Sequence, residues 1–561
     1  MSAPWYRRKL FLIAATAVVL LVAALLIAPY LLDLDRYRPL IVSQLEQATG
    51  RKVEIESLRL HFLPSIHVVV ASLRVKNPRD FPEGDTAVVS QVDIGVALGA
   101  LLRRQVEVTS VSVSGVELNM LTNESGQNNY NSLLELKRTS ADKKPGAAPV
   151  SLARIGSVDV SGVRVNSGAF WRRDRRIHPS WSLTGANLQA SGFDLSDPEW
   201  MSKAKATVDL SSIEVSSPAL KQPLRFTSGT VRARDNVAEG DYALALGPVR
   251  GSGMVKIANL ARFSAAEFTL SVKEVDLAEL GALTSGKSSG SPRPPAGSAA
   301  LLARGSVRVE KIVAAPLTAN NLDAKVRLYA NRLEVDPFTL SLYSGRARGT
   351  MGIDLASEAM TARLAARLEG VNVGQLVAAV APKNKNRISG MLEADARLGT
   401  SLAAADPLAA LGGDGAFAVR NGTVAGLNLG GALVEMARLM QVNVPSGDTK
   451  FSFFGGDFRF ANRRVHSQNL SLQSDVLDAS LRGSLGFDES LSYTGTGTVK
   501  GRGTAQPQQQ SDTNPLGGLR RVFGRVAQTA MQMTGMRVPF AVSGTVQDPK
   551  FVLTGPPAPI R

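Results

Sequence analysis

The stretch "AKVRLYANRLEVDPFTLSLYSGRARGTMGID", residues 324–354, is the clearest indication of the fold, because apolar and polar side chains alternate along most of it. A period of two is typical of half-buried β-strands, and its Asn-Arg pair indicates a turn between two of them. A second stretch, "GDFRFANRRVHSQNLSLQSDVLDASLRGSLGFD" at residues 456–488, repeats the same order of strand, turn and strand. We therefore predict a repeated antiparallel β-meander that adds strands to a growing sheet.

Two shorter pieces also resemble each other, "SVSVSGVELN" at residues 110–119 and "SVDVSGVRVN" at residues 157–166. In both, the apolar residues change parity after the central glycine, which is Gly115 in the first piece and Gly162 in the second. A slip of one residue moves every following side chain to the other face of a strand. We therefore predict a tight turn or β-bulge at each glycine.

Helical patterns are few. One lies in residues 33–50 and is closed by Gly50, a predicted C-cap. Two more cover residues 427–441 and 516–535. If the last helix lies on a membrane surface, its candidate membrane-contact residues are Arg520, Arg521, Phe523 and Arg525. Packing of this helix against the sheet is the alternative.

The composition narrows the possible partners. The chain has 561 residues, no cysteine and a formal net charge of +16. Without cysteine it can form neither a disulfide framework nor a thiolate metal site. A basic chain attracts nucleic acid or anionic lipid surfaces, but the clustering of aromatic and basic residues that binds single-stranded nucleic acid is missing. We therefore predict membrane phospholipids, and not nucleic acid, as the anionic partner.

The N-terminus predicts the compartment. An uncharged run at residues 10–32 follows three basic residues at positions 7–9. As a helix the run would be about 34 Å long, enough to cross a hydrocarbon core of about 30 Å. The basic residues predict a cytoplasmic N-terminus, with the rest of the chain across the membrane. A cleaved signal peptide is the alternative, although Pro29 and Tyr30 occupy the place of its small-residue cleavage site.

No motif indicates catalysis. The stretch "GALTSGKSSG" at residues 281–290 fits the phosphate-binding pattern G-x-x-x-x-G-K-[ST]. That loop must open a helix, whereas three prolines follow Ser288 closely, so we interpret the match as a linker and predict no bound nucleotide. No carboxylate or cysteine completes a metal-ligand set around the four histidines, which are His61, His67, His178 and His466. We predict no cofactor, no metal and no enzymatic activity.

Several stretches resemble the AsmA family of bacterial envelope proteins. Residues 48–78, "ATGRKVEIESLRLHFLPSIHVVVASLRVKNP", are similar to the family's N-terminal signature, and residues 111–136 to the strands and Asn-rich turn that follow it. Residues 418–433, 453–465 and 538–553 resemble its C-terminal block. The resemblance implies an inner-membrane anchor, a β-rich body in the periplasm and a role in outer-membrane biogenesis. Because AsmA proteins are similar to chorein-type bridge proteins with a lipid-lined groove, it also implies binding or transfer of phospholipid.

A sheet with alternating residues has one apolar face, which a globular protein covers with helices or a second sheet. The predicted helices are too few to cover the roughly 25–30 strands that the chain length allows. We therefore expect a long, curled antiparallel sheet whose groove wraps around acyl chains. The candidate lining residues are Val326, Leu328, Leu340, Leu342, Phe458, Phe460, Leu470 and Leu472. Ordinary core packing is the alternative for each of them.

The predicted organisation follows from the anchor, the repeats and three low-complexity breaks. It comprises a cytoplasmic N-terminus at 1–9, a transmembrane anchor at 10–32, an N-terminal β domain at 33–138, a linker at 139–149, a central β region at 150–284, a linker at 285–298, C-terminal β repeats at 299–502, a linker at 503–518, and an amphipathic helix with final strands at 519–561. Two functions stay open. One is phospholipid binding or transfer, and the other is an anchored scaffold that contacts inner- or outer-membrane proteins and modulates their assembly without carrying lipid.

Overall fold

The computed structural model of the chain describes residues 34–559 with internal gaps. The gaps are 62–64, 98–106, 131–153, 173–175, 195–202, 219, 261–263, 284–299, 330, 356–358, 381, 383–384, 387, 403, 405, 407–408, 425–448, 475–476, 500–535, 546–548 and 557. Strands make up 74% of the described residues, which confirms the prediction of a mainly β protein. The chain divides into unit 1, Met1–Val272 with Glu279–Gly305, and unit 2, Lys273–Ala278 with Ser306–Arg561.

The strands of unit 1 arise from the alternating segments of the first half of the chain. They are β1 (Val53–His61), β2 (Ile66–Lys76), β3 (Asp85–Val96), β4 (Val108–Asn123), β5 (Arg154–Trp171), β6 (Arg176–Asp194), β7 (Lys205–Asp209), β8 (Glu214–Ser216), β9 (Leu224–Arg234), β10 (Val237–Leu246) and β11 (Val249–Ile257). Strands β12 (Ala266–Asp276) and β13 (Leu301–Ala314) carry residues of both units. Consecutive strands pair antiparallel from β1 to β4, from β5 to β6 and from β9 to β12. Strands β7 and β8 each pair with both β6 and β9.

The pairing of β4 with β5 is parallel, so the prediction of a purely antiparallel sheet was wrong at this point. The two near-repeats lie side by side in register, with Ser110 opposite Ser157 and Asn119 opposite Asn166. Identical side chains then meet in pairs, and Asn166 Nδ2 donates to Asn119 Oδ1 at 2.9 Å. Parallel neighbours need a crossover of a dozen or more residues, and residues 124–153 are long enough to supply it.

Gly115 and Gly162 confirm the predicted irregularity, with φ angles of +63° and +65°. They are neighbours across the β4–β5 pair, and the same row reaches Ser72 of β2, whose φ is +50°. The strands change parity together at this row. Apolar residues on either side of it therefore share a face, as Ile55 and Leu58 do in one buried cluster.

Unit 2 is an antiparallel meander. Its strands are β14 (Leu317–Tyr329), β15 (Arg332–Leu342), β16 (Gly345–Asp354), β17 (Thr361–Asn372), β18 (Ile388–Ser401), β19 (Gly412–Val424), β20 (Thr449–Ala461), β21 (Arg464–Ser474), β22 (Leu477–Gly486), β23 (Leu491–Val499), β24 (Met536–Gly544), β25 (Pro549–Leu553) and β26 (Ala558–Pro559). Each strand from β14 to β25 pairs with the next, and β26 pairs with β24. The repeated meander is thereby confirmed as β14–β16 and β20–β22. At the second copy's first turn, Asn462 and Arg463 have φ of 52° and 57°, as a type I′ turn requires.

Short helices interrupt the strands. They are the 3₁₀-helix Leu34–Tyr37, α1 (Arg38–Thr49), α2 (Leu277–Ala282) and α3 (Val373–Val380). The predicted C-cap is confirmed, because Gly50 has φ of 67° and its N–H donates to Glu46 O at 2.8 Å. The helices predicted at 427–441 and 516–535, and the membrane span predicted at 10–32, lie outside the described residues. Within the part that is described, no helix is both long and apolar enough to cross a membrane.

Neither unit has a thick core. The largest fully buried side chains among the described residues are a valine, Val371, and an asparagine, Asn129. A sheet packed under helices or a second sheet normally buries leucine, isoleucine and phenylalanine completely. Each unit is therefore mainly a single layer of strands whose described coverings are small.

Candidate functional site

The apolar face of unit 2 can be followed from strand to strand, because directly opposite residues of paired strands point to the same face. One row across β15–β23 reads Val335, Met351, Leu364, Leu398, Gly413, Phe460, Val465, Leu485 and Leu491. No polar side chain interrupts this row. At about 4.8 Å per strand, it extends roughly 38 Å across unit 2.

A second row in unit 2 alternates large and small side chains. It reads Leu340, Ala347, Leu368, Ala394, Phe417 and Gly456. Each large side chain can lean over the small residue on the next strand. Side chains therefore fill space within the layer, which explains why Leu340, Leu368 and Phe417 are half-buried without a described second layer above most of them.

The opposite face of the same strands is polar. The row next to the alternating one reads Thr339, Arg348, Arg367, Asp395, Ala416 and Asp457. Arg348 and Arg367 both contact Glu369 Oε1, at 2.7 and 3.0 Å, and these side chains are exposed. Surface ion pairs of this kind contribute only about 0.2–1 kcal/mol each, so this face needs no cover. The charged and apolar side chains of unit 2 are thus separated onto two faces.

All eight predicted lining residues lie on the apolar face of unit 2. Val326 is opposite Val335, Leu328 is opposite Leu333, and Leu340 and Leu342 follow on β15 after a bulge. In the second meander copy, Phe458 and Phe460 face the small residues Gly415 and Gly413, while Leu472 is opposite Phe454 and Leu470 is opposite Leu481. The structure therefore brings the two sets onto one face, and their role there stays a prediction.

Phenylalanine rings form the centre of this face. The ring centroids of Phe417 and Phe454 lie 5.6 Å apart, those of Phe417 and Phe458 6.4 Å, and those of Phe458 and Phe460 5.4 Å. A Cβ added to Gly415 would come within 2.4 Å of the Phe458 ring. The ring therefore packs directly against the glycine backbone, an approach that only glycine allows. The rings meet mainly edge to face and form an apolar cluster on this face.

Helix α3 covers one end of this face and was missed in the sequence. Its Val373 and Val377 join a cluster with Val419 and Phe451. The sequence did carry a signal, because Asn372 Oδ1 accepts from the N–H of Gln375 at 3.0 Å, as an N-cap does. Apolar residues at helical spacing between an N-cap and a later proline predict a short helix.

Unit 1 carries a longer apolar row, and none of its residues was among the lining candidates predicted from the sequence. The row crosses β1–β7 and β9–β12 and reads Leu58, Val70, Val92, Val113, Val160, Leu188, Val208, Val231, Gly240, Val255 and Phe268. Sequence alternation indicated β1 to β5 individually, and only a general β character for the later strands. The alignment of these residues across the strands depends on the register of each strand pair, which a single sequence does not reveal.

A buried polar network fixes the start of unit 1. Asn129 Nδ2 donates to Asn77 Oδ1 at 2.9 Å and to Asn119 O at 2.7 Å, while its Oδ1 accepts from the N–H of Leu121 at 2.8 Å. The guanidinium of Arg51 donates to Asn129 O. Burial lowers the pKa of Arg51 from its ordinary value. These residues include Arg and Asn positions that carry the family resemblance, and they tie the turn after α1 to β2 and β4.

Ser65, His67 and Asp93 form a hydrogen-bonded chain on the polar face of unit 1. Ser65 Oγ lies 2.6 Å from His67 Nε2, and His67 Nδ1 lies 2.7 Å from Asp93 Oδ1. The order matches that of serine hydrolases, in which the carboxylate is buried. Here the side chains of His67 and Asp93 are 28% and 31% exposed, so water competes for both. We interpret the arrangement as a chain of surface hydrogen bonds.

The remaining predictions concern the histidines and the candidate membrane-contact residues. Among the residues that the structure describes, no group of three or more His, Cys, Asp or Glu side chains could hold a metal ion. His61 and His67 are cross-strand partners in the β1–β2 pair. The candidate membrane-contact residues Arg520, Arg521, Phe523 and Arg525 lie outside the described residues.

Comparison with known proteins bears on this arrangement of faces. The model of the AsmA family matches residues 5–224 and 302–470. The match runs from the predicted anchor through β1–β8 of unit 1, and through the unit 2 meander into β21. A search of curated proteins found no match. Because the family model covers most of the chain, the protein belongs to the AsmA family.

Proposed function

We propose that this protein is an inner-membrane-anchored, non-enzymatic protein of the periplasm that binds or transfers phospholipid along the apolar faces of its sheets, in the service of outer-membrane biogenesis. The observation that carries the proposal is the unbroken apolar row in each unit, on sheets with few described coverings. Leaving apolar surface in water costs about 25 cal/mol per Å². Acyl chains would cover these faces and remove that cost.

The two-faced sheet fits a phospholipid in particular. Its tails need an apolar surface, whereas its headgroup needs water or polar groups. The separation of Phe417 and Phe458 onto one face, and Arg348 and Arg367 onto the other, supports an arrangement with tails on the sheet and headgroups in solvent. The anchor is supported by the uncharged run at residues 10–32 and by membership of a family whose model begins to match at residue 5.

The direct test uses the natural chain in its membrane. Phospholipid with a photoactivatable group in one acyl chain is supplied to cells, the full-length protein is purified after illumination, and the modified residues are mapped by mass spectrometry. We expect labels on apolar-face residues such as Val113, Leu188, Leu364 and Phe458. Labels confined to residues 10–32 would contradict lipid binding by the sheets.

A pair of matched variants tests the same face by charge. The double variant Leu340→Arg with Leu470→Arg places two cations on the apolar face, and we expect it to co-purify with less phospholipid than the natural protein. The control is Thr339→Arg with Ser471→Arg, which adds the same charge one residue away on the polar face. Equal lipid in both variants would argue against the proposal. Leu340→Gln, a milder change at a half-buried site, serves if the double arginine variant loses its circular dichroism signal.

The scaffold function remains the second candidate. It requires that the apolar faces be closed by protein, and it predicts lipid-free protein from the membrane and no photolabel on either sheet. The same two experiments therefore decide between the candidates.

A further inference from the structure

Helix α1 has two different sides. On its inner side, Val42 and Leu45 pack against the cluster that contains Val53 and Leu58 of β1. On its outer side, Tyr37, Leu40 and Ile41 remain 55%, 59% and 36% exposed. These three residues follow the spacing i, i+3, i+4, so they form one apolar surface at the first turn. We call it the outer turn of α1.

The outer side of α1 changes character along the helix. Gln44 and Gln47 continue the same side toward the C-terminus and are exposed. Gln47 lies seven residues after Leu40, which is about 10 Å along the axis. An ordinary surface helix would be polar over its whole outer side. Here only the end that lies nearest the N-terminus of the chain is apolar, with the exposed Arg36 beside it.

The position of the outer turn in the chain indicates what covers it. The predicted span ends at residue 32, and Asp33, the 3₁₀-helix Leu34–Tyr37 and the first residues of α1 separate it from Leu40. With the rises of these segments, Leu40 lies at most about 16 Å from the end of the span. The interfacial layer on each side of a bilayer is about 5–8 Å thick, and tyrosine and arginine favour it.

We infer that the outer turn of α1 inserts into the interface of the bilayer that holds the anchor, with the Gln47 end of the helix in water. The inner side of α1 lies on β1, where the apolar row of unit 1 begins at Leu58. The contact therefore places the first strand of that row beside the bilayer, where acyl chains could leave the membrane for the sheet. This inference rests on the anchor of the proposed function.

The absence of cysteine makes the inference testable with single-cysteine variants of the full-length protein. Leu40→Cys, Gln47→Cys and Met254→Cys are each labelled with an environment-sensitive dye and reconstituted into vesicles of anionic and zwitterionic phospholipid. Met254 is the matched control, since this apolar residue is 62% exposed, close to the value for Leu40. The vesicles carry a nitroxide either near the headgroup end of an acyl chain or near its terminus.

We expect the dye at position 40 to be quenched by the shallow nitroxide more than by the deep one, as for an interfacial helix buried about 5–10 Å. The dyes at positions 47 and 254 should show little quenching. Equal, weak quenching at positions 40 and 254 would overturn the inference, and so would shielding of position 40 that depends on protein concentration, since a second copy would then be the occupant.

The two proposals fail in different ways. Protein that does not float with the vesicles would overturn the anchor and the helix contact together. Protein that floats and shows quenching at position 40, but whose sheets take up no photoactivatable phospholipid in the labelling experiment, would contradict lipid binding and leave the helix contact standing.

Discussion

Units 1 and 2 differ in the backbone irregularities that accompany their apolar faces. Both keep apolar residues on one face over many strands, although irregularities interrupt the period of two. In unit 1 the correction is shared, because one row across β2–β5 contains three residues of positive φ, which are Ser72, Gly115 and Gly162. In unit 2 several strands have a bulge of their own, as β15 does between Val335 and Phe338 and β21 does between Ser467 and Leu470.

This difference determines how far the effect of a substitution should spread from one strand to its neighbours. A shared row couples its strands, so a substitution in one strand disturbs the register of its neighbours. A bulge that is confined to one strand affects mainly that strand. Unit 1 adds a second coupling, since Asn129 bonds to β4 and to Asn77, which directly follows β2, whereas the buried polar residues in the described part of unit 2 are Ser467, Ser474 and Ser484. We therefore expect unit 1 to be the more sensitive of the two.

The largest effect should come from breaking the buried network of unit 1. Asn129→Ala leaves the buried N–H of Leu121 without its acceptor and removes the donor to Asn119 O and one of the two donors to Asn77 Oδ1. We expect a local loss of about 3 kcal/mol, because buried polar groups are left unpaired. Hydrogen exchange of the β4 amides measures it. Glu124→Ala, a change at an exposed position of the same turn, is the control, and an equal effect of both changes would refute the role of Asn129.

A smaller effect is expected at the shared row. Gly115→Ala forces a side chain into positive φ and within 2.3 Å of Ser90 Oγ, so we expect a loss of about 2 kcal/mol. Gly162→Ala should cost less, since its added Cβ meets nothing closer than 3.6 Å.

The comparison for the shared row is Gly352→Ala in unit 2, where an added Cβ meets nothing within 4 Å. We expect that change to alter the free energy of unfolding by less than about 0.5 kcal/mol, as at ordinary surface sites. Hydrogen exchange in the strands on either side provides the measurement. If Gly352→Ala destabilised the neighbouring strands as strongly as Gly115→Ala, there would be no difference between a row of irregular residues that several strands share and bulges that are confined to one strand.

A still smaller effect should follow truncation on the open face of unit 2. Phe→Ala in a closed core costs about 3–5 kcal/mol, but Phe458 is only half-buried, so we expect about 1.5 kcal/mol for Phe458→Ala in lipid-free protein. Thermal unfolding followed by circular dichroism gives the change, with Phe458→Leu as the conservative control. A loss of 3 kcal/mol or more, on the same scale, would indicate a closed core and favour the scaffold function.

The smallest effect concerns alkaline pH. Burial raises the pKa of Tyr242 in unit 1 above its ordinary value of 10.0. Burial also raises the pKa of Tyr493 in unit 2, but a hydrogen bond with Ser467 and the charge of Arg464 partly oppose the change. A raised pKa in the folded state contributes stability that is fully present below the unfolded pKa of about 10 and is lost as the pH rises through the folded pKa.

We therefore expect no effect of either tyrosine near neutral pH and a fall in stability above about pH 10. Ultraviolet absorbance of tyrosinate against pH checks the assignment. Tyr242→Phe and Tyr493→Phe should each remove part of the absorbance change above about pH 10. A variant whose titration curve above that pH is unchanged would contradict the raised pKa of the tyrosine that it lacks.

The sequence predicted more of unit 2 than of unit 1. The repeated meander, the turn at Asn462 and Arg463, and the single face shared by the eight lining candidates follow from local alternation and turn residues, which act over a few positions. The parallel pairing of β4 with β5 was missed because a strand's partner is set by contacts far apart in the chain. The near-repeat of Ser110–Asn119 and Ser157–Asn166 did hint at it, since only parallel neighbours align equal residues.

The sequence alone was enough to predict the mainly β fold, the strands of the two repeats, the glycines at which strands change parity and the resemblance to the family. These depend on the period of side chains along the backbone and on the φ angles that each residue tolerates, which are local properties. The three-dimensional structure was needed to show that the row from Leu58 to Phe268 crosses eleven strands, that Phe458 packs against Gly415, and that Asn129 is buried. Those facts depend on register and on distant pairing, where many weak contacts act together and no single residue carries the choice.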